Sequence, residues 1–148
     1  MSYQQQFYQQ LGKAIALASL AFQDKADKQG RPYILHCLRV MNGVGDDPEL
    51  QVVAVLHDVV EDTDWDVLSL AAKLALTERQ QVILYLVTHD KEDSYDDYIR
   101  AIAFNEDAKR IKLADLKDNS DITRLKGLRK KDFDRLEKYH RAFVYLSE

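Results

Sequence analysis

Four residues able to bind a metal ion or move a proton lie within six consecutive positions of the chain. They are His57, Asp58, Glu61 and Asp62, and they follow the apolar run 52–56. Burying a histidine and an aspartate at the end of an apolar run costs free energy unless each has a hydrogen-bonding or charged partner. On a continuous helix Glu61 lies one turn after His57, and Asp62 lies one turn after Asp58. The pattern fits metal chemistry, but the pair His57-Asp58 alone favours a hydrogen-bonded core histidine with carboxylates that cap a loop.

Two other polar residues interrupt apolar helix faces elsewhere in the chain. His36 lies within a helical apolar pattern, where a single histidine is more often a satisfied core residue than a ligand. Asp115 continues a stripe that includes Ile111, at helical spacing. A solvated carboxylate at a frayed helix end fits Asp115 poorly, because Leu113 and Leu116 surround it. Asp115 is therefore the residue that most favours a metal site.

Two imidazoles and two carboxylates from three helices make a shell for one divalent ion, with the candidate ligands His36, His57, Asp58 and Asp115. The absence of thiolates disfavours a structural zinc site. Mixed nitrogen and oxygen ligands with open positions suit Mn²⁺, with Fe²⁺, Co²⁺ or Zn²⁺ as alternatives. Water at an open position has a lowered pKa, which gives a nucleophile at neutral pH. The acidic pair that ends the 57–62 cluster is then placed to orient or deprotonate that water.

The elements that must position these residues show the helical period throughout, and no segment alternates convincingly with a period of two. A first helix is expected from about Tyr3 to Asp24. A central helix begins at Pro48 and ends in the 57–62 cluster, and Asp132 caps the last helix. We predict an all-α fold, in which one domain over residues 1–148 packs six to seven helices around the metal site.

Composition limits the classes of partner. The chain has 148 residues with 21 Lys and Arg against 25 Asp and Glu, a net charge of −4. This balance gives no case for a nucleic acid polymer or an anionic membrane, although a local basic cluster or a metal can still bind a small anion. The single Cys37 fits a reducing compartment, and residues 1–6 lack signal-peptide character. We expect a cytoplasmic protein without a membrane span, and the oligomeric state stays open.

Three stretches, in this order, resemble the HD superfamily of metal-dependent phosphohydrolases. They are Gly30–His36, Leu56–Thr63 and Ile111–Asn119, within a motif-bearing part of about 14–125. More narrowly, they resemble the hydrolase domain of RelA/SpoT-type alarmone enzymes and the small stand-alone alarmone hydrolases. The resemblance implies an HD-type helical bundle and removal of the 3′-pyrophosphate from guanosine tetraphosphate or pentaphosphate by a metal-bound water.

The resemblance also implies roles for individual residues. It places a Mn²⁺ ion between His36, His57, Asp58 and Asp115. Glu61 and Asp62 would activate the attacking water. Lys28 would lie along the base, and Asn119 would contact the ribose or its 3′ side. Lys112 would either contact a phosphate or form a structural pair.

The chain departs from this family pattern at three places. Asp27 precedes Lys28 where the family usually has arginine, Phe22 stands where a histidine is common, and Cys37 stands where a proline is usual. Two alternatives to this reaction stay open, and the departures at Asp27 and Phe22 favour the first of them. One is an HD phosphohydrolase that acts on another nucleotide or phosphorylated metabolite. The other is a module that binds a metal and a nucleotide without catalysis.

Overall fold

The computed structural model describes residues 1–148, and its regular structure is helical. Its one β-type contact is an isolated bridge between Ala26 and Pro32. No helix combines the length and the hydropathy that a membrane crossing requires. The all-α prediction is confirmed. The helices are α1 Tyr3–Ala21, α2 Ile34–Gly43, α3 Pro48–Leu56, α4 Val59–Asp62, α5 Val67–Leu74, α6 Glu78–Val87, α7 Tyr95–Ile102, α8 Glu106–Asn119 and α9 Lys130–Ser147, with a 3-10 turn at Ile122–Arg124.

The predicted count of six to seven helices was too low. Eight helices have at least eight residues, and α4 adds one further turn. The extra turn arises because the central helix stops at Leu56, one residue before His57, and helical structure resumes only at Val59. The sequence pattern suggested that Glu61 and His57 share one face of a continuous helix. Because the helix is broken between them, they do not.

Two helix boundaries also differ from the prediction. The first helix ends at Ala21 rather than Asp24. The last helix begins at Lys130, and its N-cap is Arg129 rather than Asp132. Asp132 lies within the first turn and accepts a hydrogen bond of 2.9 Å from the Arg129 backbone N–H. The carboxylate thus satisfies an unpaired N–H group at the helix start, although from a position inside the helix.

Helix α3 lies at the centre of the bundle, packed against α1, α2 and α6. Residues 52–56 are completely buried. A helix that is apolar on all sides has to be surrounded by other helices, which explains why this run lacks a polar face. Its start is fixed by Asp47, whose side chain accepts from the Leu50 N–H at 3.2 Å, and by Pro48 in the first turn. The position of His57, directly after the last residue of this helix, is therefore fixed.

Helices α2 and α8, which carry His36 and Asp115, approach each other closely at Gly43. A Cβ atom added at Gly43 would lie 3.0 Å from the Cβ of Ala114. That separation is shorter than two methyl groups tolerate, so Gly43 allows the spacing of these two helices.

We predict that Gly43→Ala lowers the free energy of unfolding by about 1–3 kcal/mol, because the new methyl group overpacks the α2–α8 contact. Chemical denaturation monitored by circular dichroism measures the change. In an Ala114→Gly background the same substitution should cost nothing, because the opposing methyl group is gone.

The matched control is Gly12→Ala in α1, where an added Cβ meets nothing within 4 Å. It should raise the free energy of unfolding by about 0.5–1 kcal/mol, as expected for glycine in a helix interior. Equal effects of Gly43→Ala with and without Ala114 would rule out the close contact as the cause.

Candidate functional site

The four predicted ligands meet at one place in the core. One ligand atom from each of His36, His57, Asp58 and Asp115 lies within 4.8 Å of the other three. His36 comes from α2, His57 and Asp58 form the break between α3 and α4, and Asp115 comes from α8. The two histidines and Asp115 are at most 5% exposed, and Asp58 is half-buried. The chain thus brings together the residues that sequence analysis selected from three separate segments.

The nitrogen and oxygen atoms of this cluster are in direct contact. Asp115 Oδ1 lies 3.0 Å from His36 Nε2 and 3.1 Å from His57 Nε2. Asp58 Oδ2 lies 3.0 Å from His57 Nε2 and 3.5 Å from His36 Nε2. Both imidazoles therefore present the same ring nitrogen to both carboxylates.

The other ring nitrogen of each histidine is engaged outside the cluster. His57 Nδ1 lies 2.7 Å from the Ala54 carbonyl oxygen, which can only accept, so Nδ1 carries the proton. His36 Nδ1 lies 2.6 Å from Asp118 Oδ2, in the same arrangement. A neutral imidazole protonated at Nδ1 has its lone pair at Nε2, the arrangement that metal-bound histidines show.

This donor set fits a cation. Two Nε2 lone pairs and two carboxylate oxygens at these distances repel each other unless a positive charge lies between them. Burial lowers the pKa of His36, but its hydrogen bonds to Asp115, Asp118 and Asp58 raise it to about 10. Burial raises the pKa of Asp115, but the charges of Lys112 and His57 hold it well below its ordinary value. The carboxylates stay ionised beside protonated imidazoles, and a divalent ion could replace the protons on the imidazoles.

Two residues that the sequence analysis did not single out hold the candidate ligands in place. The Tyr33 hydroxyl donates to Asp58 Oδ2 at 2.6 Å. Asp118, which orients His36, accepts in turn from Arg39 Nε at 2.7 Å. The sequence spacing could have indicated Asp118, because it lies one helical turn after Asp115. Groups that orient metal ligands in this way commonly set the affinity for the ion.

The two predicted water-activating carboxylates lie beside the cluster in different surroundings. Asp62 Oδ2 accepts from Lys25 Nζ at 2.9 Å, and both side chains are partly exposed. Glu61 Oε1 accepts from the His89 backbone N–H. Loss of solvent around the carboxyl raises the pKa of Glu61, more than the His89 N–H lowers it. A carboxylate with a raised pKa is better suited to accept a proton from water near neutral pH.

The three predicted substrate-binding residues differ in their accessibility. Lys112 Nζ lies 2.9 Å from Asp115 Oδ2 and 5.1 Å from the centre of the Tyr98 ring, with 12% of its side chain exposed. These contacts favour the structural pair over a phosphate contact. Asn119 Nδ2 donates to Asp115 Oδ1 at 3.1 Å and also lines the neighbouring pocket. Lys28 lies on the exposed wall of the same pocket.

A pocket of about 320 Å³ adjoins the cluster and shares His36 with it. Five basic and three acidic residues line this pocket, which is therefore more positive than the chain as a whole. The acidic residues are Asp27, Asp118 and Asp121, and the basic ones are Lys25, Lys28, Arg39, Arg124 and Arg135. A basic pocket next to a buried His/Asp cluster suits a small anionic substrate.

No family model and no curated protein matches the sequence. A comparison with solved structures finds a metazoan ortholog of SpoT that hydrolyzes ppGpp and plays a role in starvation responses. Its structure matches with a TM-score of 0.74 at 25% sequence identity, and the match covers 93% of this chain and 84% of that chain. The match confirms the resemblance to an HD-type alarmone hydrolase domain that the three sequence stretches indicate.

We predict a graded loss of metal binding when the cluster is altered. Asp115→Ala should remove measurable Mn²⁺ binding, because it deletes the carboxylate that contacts both imidazoles. Asp118→Ala should weaken Mn²⁺ binding by about tenfold to a hundredfold, because His36 loses the group that orients it. Isothermal titration calorimetry measures both effects, and circular dichroism checks that the variants remain helical.

The control is Asp97→Ala, which removes an exposed carboxylate on α7 whose side chain is 68% exposed. It should leave the affinity for Mn²⁺ unchanged. Full Mn²⁺ binding by a folded Asp115→Ala variant would exclude this cluster as the metal site.

Proposed function

We propose that this chain is a metal-dependent hydrolase that removes the 3′-pyrophosphate from guanosine tetraphosphate or pentaphosphate and leaves GDP or GTP. The observation that carries the proposal is the convergence of His36, His57, Asp58 and Asp115 beside a basic pocket. The structural match to a protein that hydrolyzes ppGpp supports the same substrate class. We propose Mn²⁺ as the ion, because a mixed shell of imidazole and carboxylate ligands suits it.

The cluster would bind the metal ion, and the pocket would bind the nucleotide. His36, His57, Asp58 and Asp115 would hold the ion, which supplies Lewis-acid polarisation and a water of low pKa when it is bound. The positive charges of the pocket attract the phosphates, which Arg and Lys bind through charge-assisted hydrogen bonds. Lys28 on the outer wall would lie along the base. Asn119 would contact the ribose, because it lies between the cluster and the pocket.

Glu61 is the proposed acceptor of the proton from the attacking water. The His89 N–H fixes one carboxyl oxygen, and the other oxygen is left to accept the proton. The water oxygen forms a bond to the phosphorus attached to the ribose 3′ oxygen. The bond between that phosphorus and the 3′ oxygen breaks, the 3′ oxygen takes a proton from solvent to become a hydroxyl, and pyrophosphate is released. Asp62 would orient the water from the position that its contact with Lys25 gives it.

The loop before Tyr33 favours one alternative function. Asp27 stands where the family has arginine, and its carboxylate accepts from the backbone N–H groups of Gln29 at 2.9 Å and Arg31 at 3.0 Å. Asp27 therefore stabilises the turn and offers no cation to a base. A different nucleotide or phosphorylated metabolite is the second candidate substrate, and the metal site would be the same. A module that binds without catalysis is the third candidate.

The direct test is hydrolysis of a nucleotide panel by the purified chain with added Mn²⁺. The panel contains guanosine tetraphosphate, GTP, deoxynucleoside triphosphates and nucleoside monophosphates. Pyrophosphate released from guanosine tetraphosphate alone would support the proposed reaction. Phosphate released from another member would retain the metal chemistry and replace the substrate. No turnover of any member would contradict the proposal and leave the non-catalytic module.

We predict that Glu61→Gln lowers kcat by about a hundredfold or more, because the amide cannot accept the proton from water. The amide keeps an oxygen for the His89 N–H, so the affinity for Mn²⁺ should stay within about threefold of the unaltered chain. Steady-state kinetics and calorimetry with Mn²⁺ separate the two effects.

The control is Glu137→Gln on α9, which changes an exposed carboxylate in the same way and should leave both quantities unchanged. A Glu61→Gln variant with undiminished kcat would remove Glu61 from the mechanism.

A further inference from the structure

Lys25 is the one basic residue of the pocket that contacts a predicted water-activating carboxylate. Its Nζ lies 2.9 Å from Asp62 Oδ2 and 4.1 Å from the centre of the Tyr33 ring. The other four basic residues of the pocket have no hydrogen bond or ion pair with Glu61 or Asp62. Lys25 lines the pocket, and 41% of its side chain is exposed. The ammonium group is thus both fixed and accessible to a ligand.

A compact loop holds Lys25 in this position. The Tyr33 N–H donates to the Lys25 carbonyl at 3.0 Å, and Asp27 and Arg31 are joined by a 2.8 Å backbone hydrogen bond. Gly30 turns the chain with a φ of +82°, a conformation that glycine adopts without strain. The backbone of Lys25 is therefore fixed, and less freedom is lost when its side chain binds a ligand.

One tyrosine ring connects the Lys25 ammonium with the candidate metal ligands. The Tyr33 ring lies beneath the ammonium, its hydroxyl donates to Asp58 at 2.6 Å, and it stacks on His36 with ring centres 5.4 Å apart. A cation over an aromatic face is attracted electrostatically by the ring. Lys25 therefore lies at the boundary between the cluster and the pocket.

The carboxylates around this boundary would repel an anionic ligand unless a cation lies beside them. Asp58, Glu61 and Asp62 would repel a polyanionic nucleotide from the place where water has to attack. An ammonium group has three N–H donors, and the contact with Asp62 uses one of them. The remaining donors can bind a phosphate oxygen while Asp62 stays in place.

We propose that Lys25 positions Asp62 and also recognises the pyrophosphate group of the substrate, with one ammonium bound to both. The positioning part rests on the proposed function, whereas the recognition of pyrophosphate can be measured without turnover. Lys25 thereby takes part in selecting substrates that carry a phosphate anion next to the water-activating carboxylates.

The first test measures the binding of inorganic pyrophosphate by calorimetry with EDTA present, so that no hydrolysis or bound metal contributes. The variant Lys25→Met keeps the length of the side chain over Tyr33 and removes its charge. It should bind pyrophosphate about tenfold more weakly, the loss expected for one hydrogen bond to a charged group. Lys25→Arg should restore the affinity to within about twofold, because it restores the charge and the donors. Lys13→Met, an exposed lysine of α1, should bind as the unaltered chain does.

Equal pyrophosphate affinities for Lys25→Met and the unaltered chain would overturn the recognition of the anion. Absence of pyrophosphate binding by the unaltered chain would overturn it too. Weaker binding by Lys25→Met in a chain that hydrolyses no nucleotide would instead overturn the proposed function and leave this recognition in place. The two proposals therefore fail separately.

The second test separates positioning from recognition by kinetics. Lys25→Met should raise KM about tenfold and lower kcat about tenfold, because it loses one charged contact to the substrate and one to Asp62. In an Asp62→Asn background the same substitution should still raise KM but should no longer lower kcat. An unchanged kcat for Lys25→Met, or kcat losses that simply add in the double variant, would overturn the positioning of Asp62.

Discussion

Negative charge placed inside a helical core is the constraint on which this structure depends. Asp115 is 5% exposed and presents one oxygen to two imidazole nitrogens, at 3.0 and 3.1 Å. A buried carboxylate costs several kcal/mol unless neighbouring charges and hydrogen bonds compensate it. Here the compensation comes from Lys112, Asn119 and the two histidines. The cluster is stable only with added positive charge, either protons on the imidazoles or a metal ion.

The surrounding helices restrict which groups can compensate that negative charge. Helix α3 is buried on all sides and ends one residue before His57, so its carbonyl at Ala54 is available to accept from His57 Nδ1. On α8, Asp118 accepts from His36 Nδ1 and is itself held by Arg39 and Arg124. Each imidazole is thus fixed from behind, and its Nε2 atom can face only the carboxylates. The four side chains are therefore arranged so that they could hold one metal ion between them.

The sequence revealed the candidate ligands because they break local rules. Asp115 lies on an apolar stripe, and His57-Asp58 ends an apolar run, so both were visible from spacing alone. The supporting contacts were not visible, since His36 and Asp118 are 82 positions apart and Lys25 and Asp62 are 37 apart. The break of the helix at His57 was also missed, because the residues around it remain compatible with a helix. Local patterns predict which residues are unusual, whereas tertiary packing decides how they are paired.

The candidate metal site and the selectivity for substrate belong to different parts of the molecule. The ligands come from α2, from the break between α3 and α4, and from α8, where a substitution leaves an unpaired buried charge. The pocket is lined mainly by the loop that precedes Tyr33 and by the connection between α8 and α9, with further residues from α2, α8 and α9. Loops of this kind accept changes with little cost in stability. The departures at Phe22 and Asp27, together with the Lys25–Asp62 ion pair, all lie in or next to this loop. A change of substrate would therefore alter the lining of the pocket, this loop included, while the four buried candidate ligands stay the same.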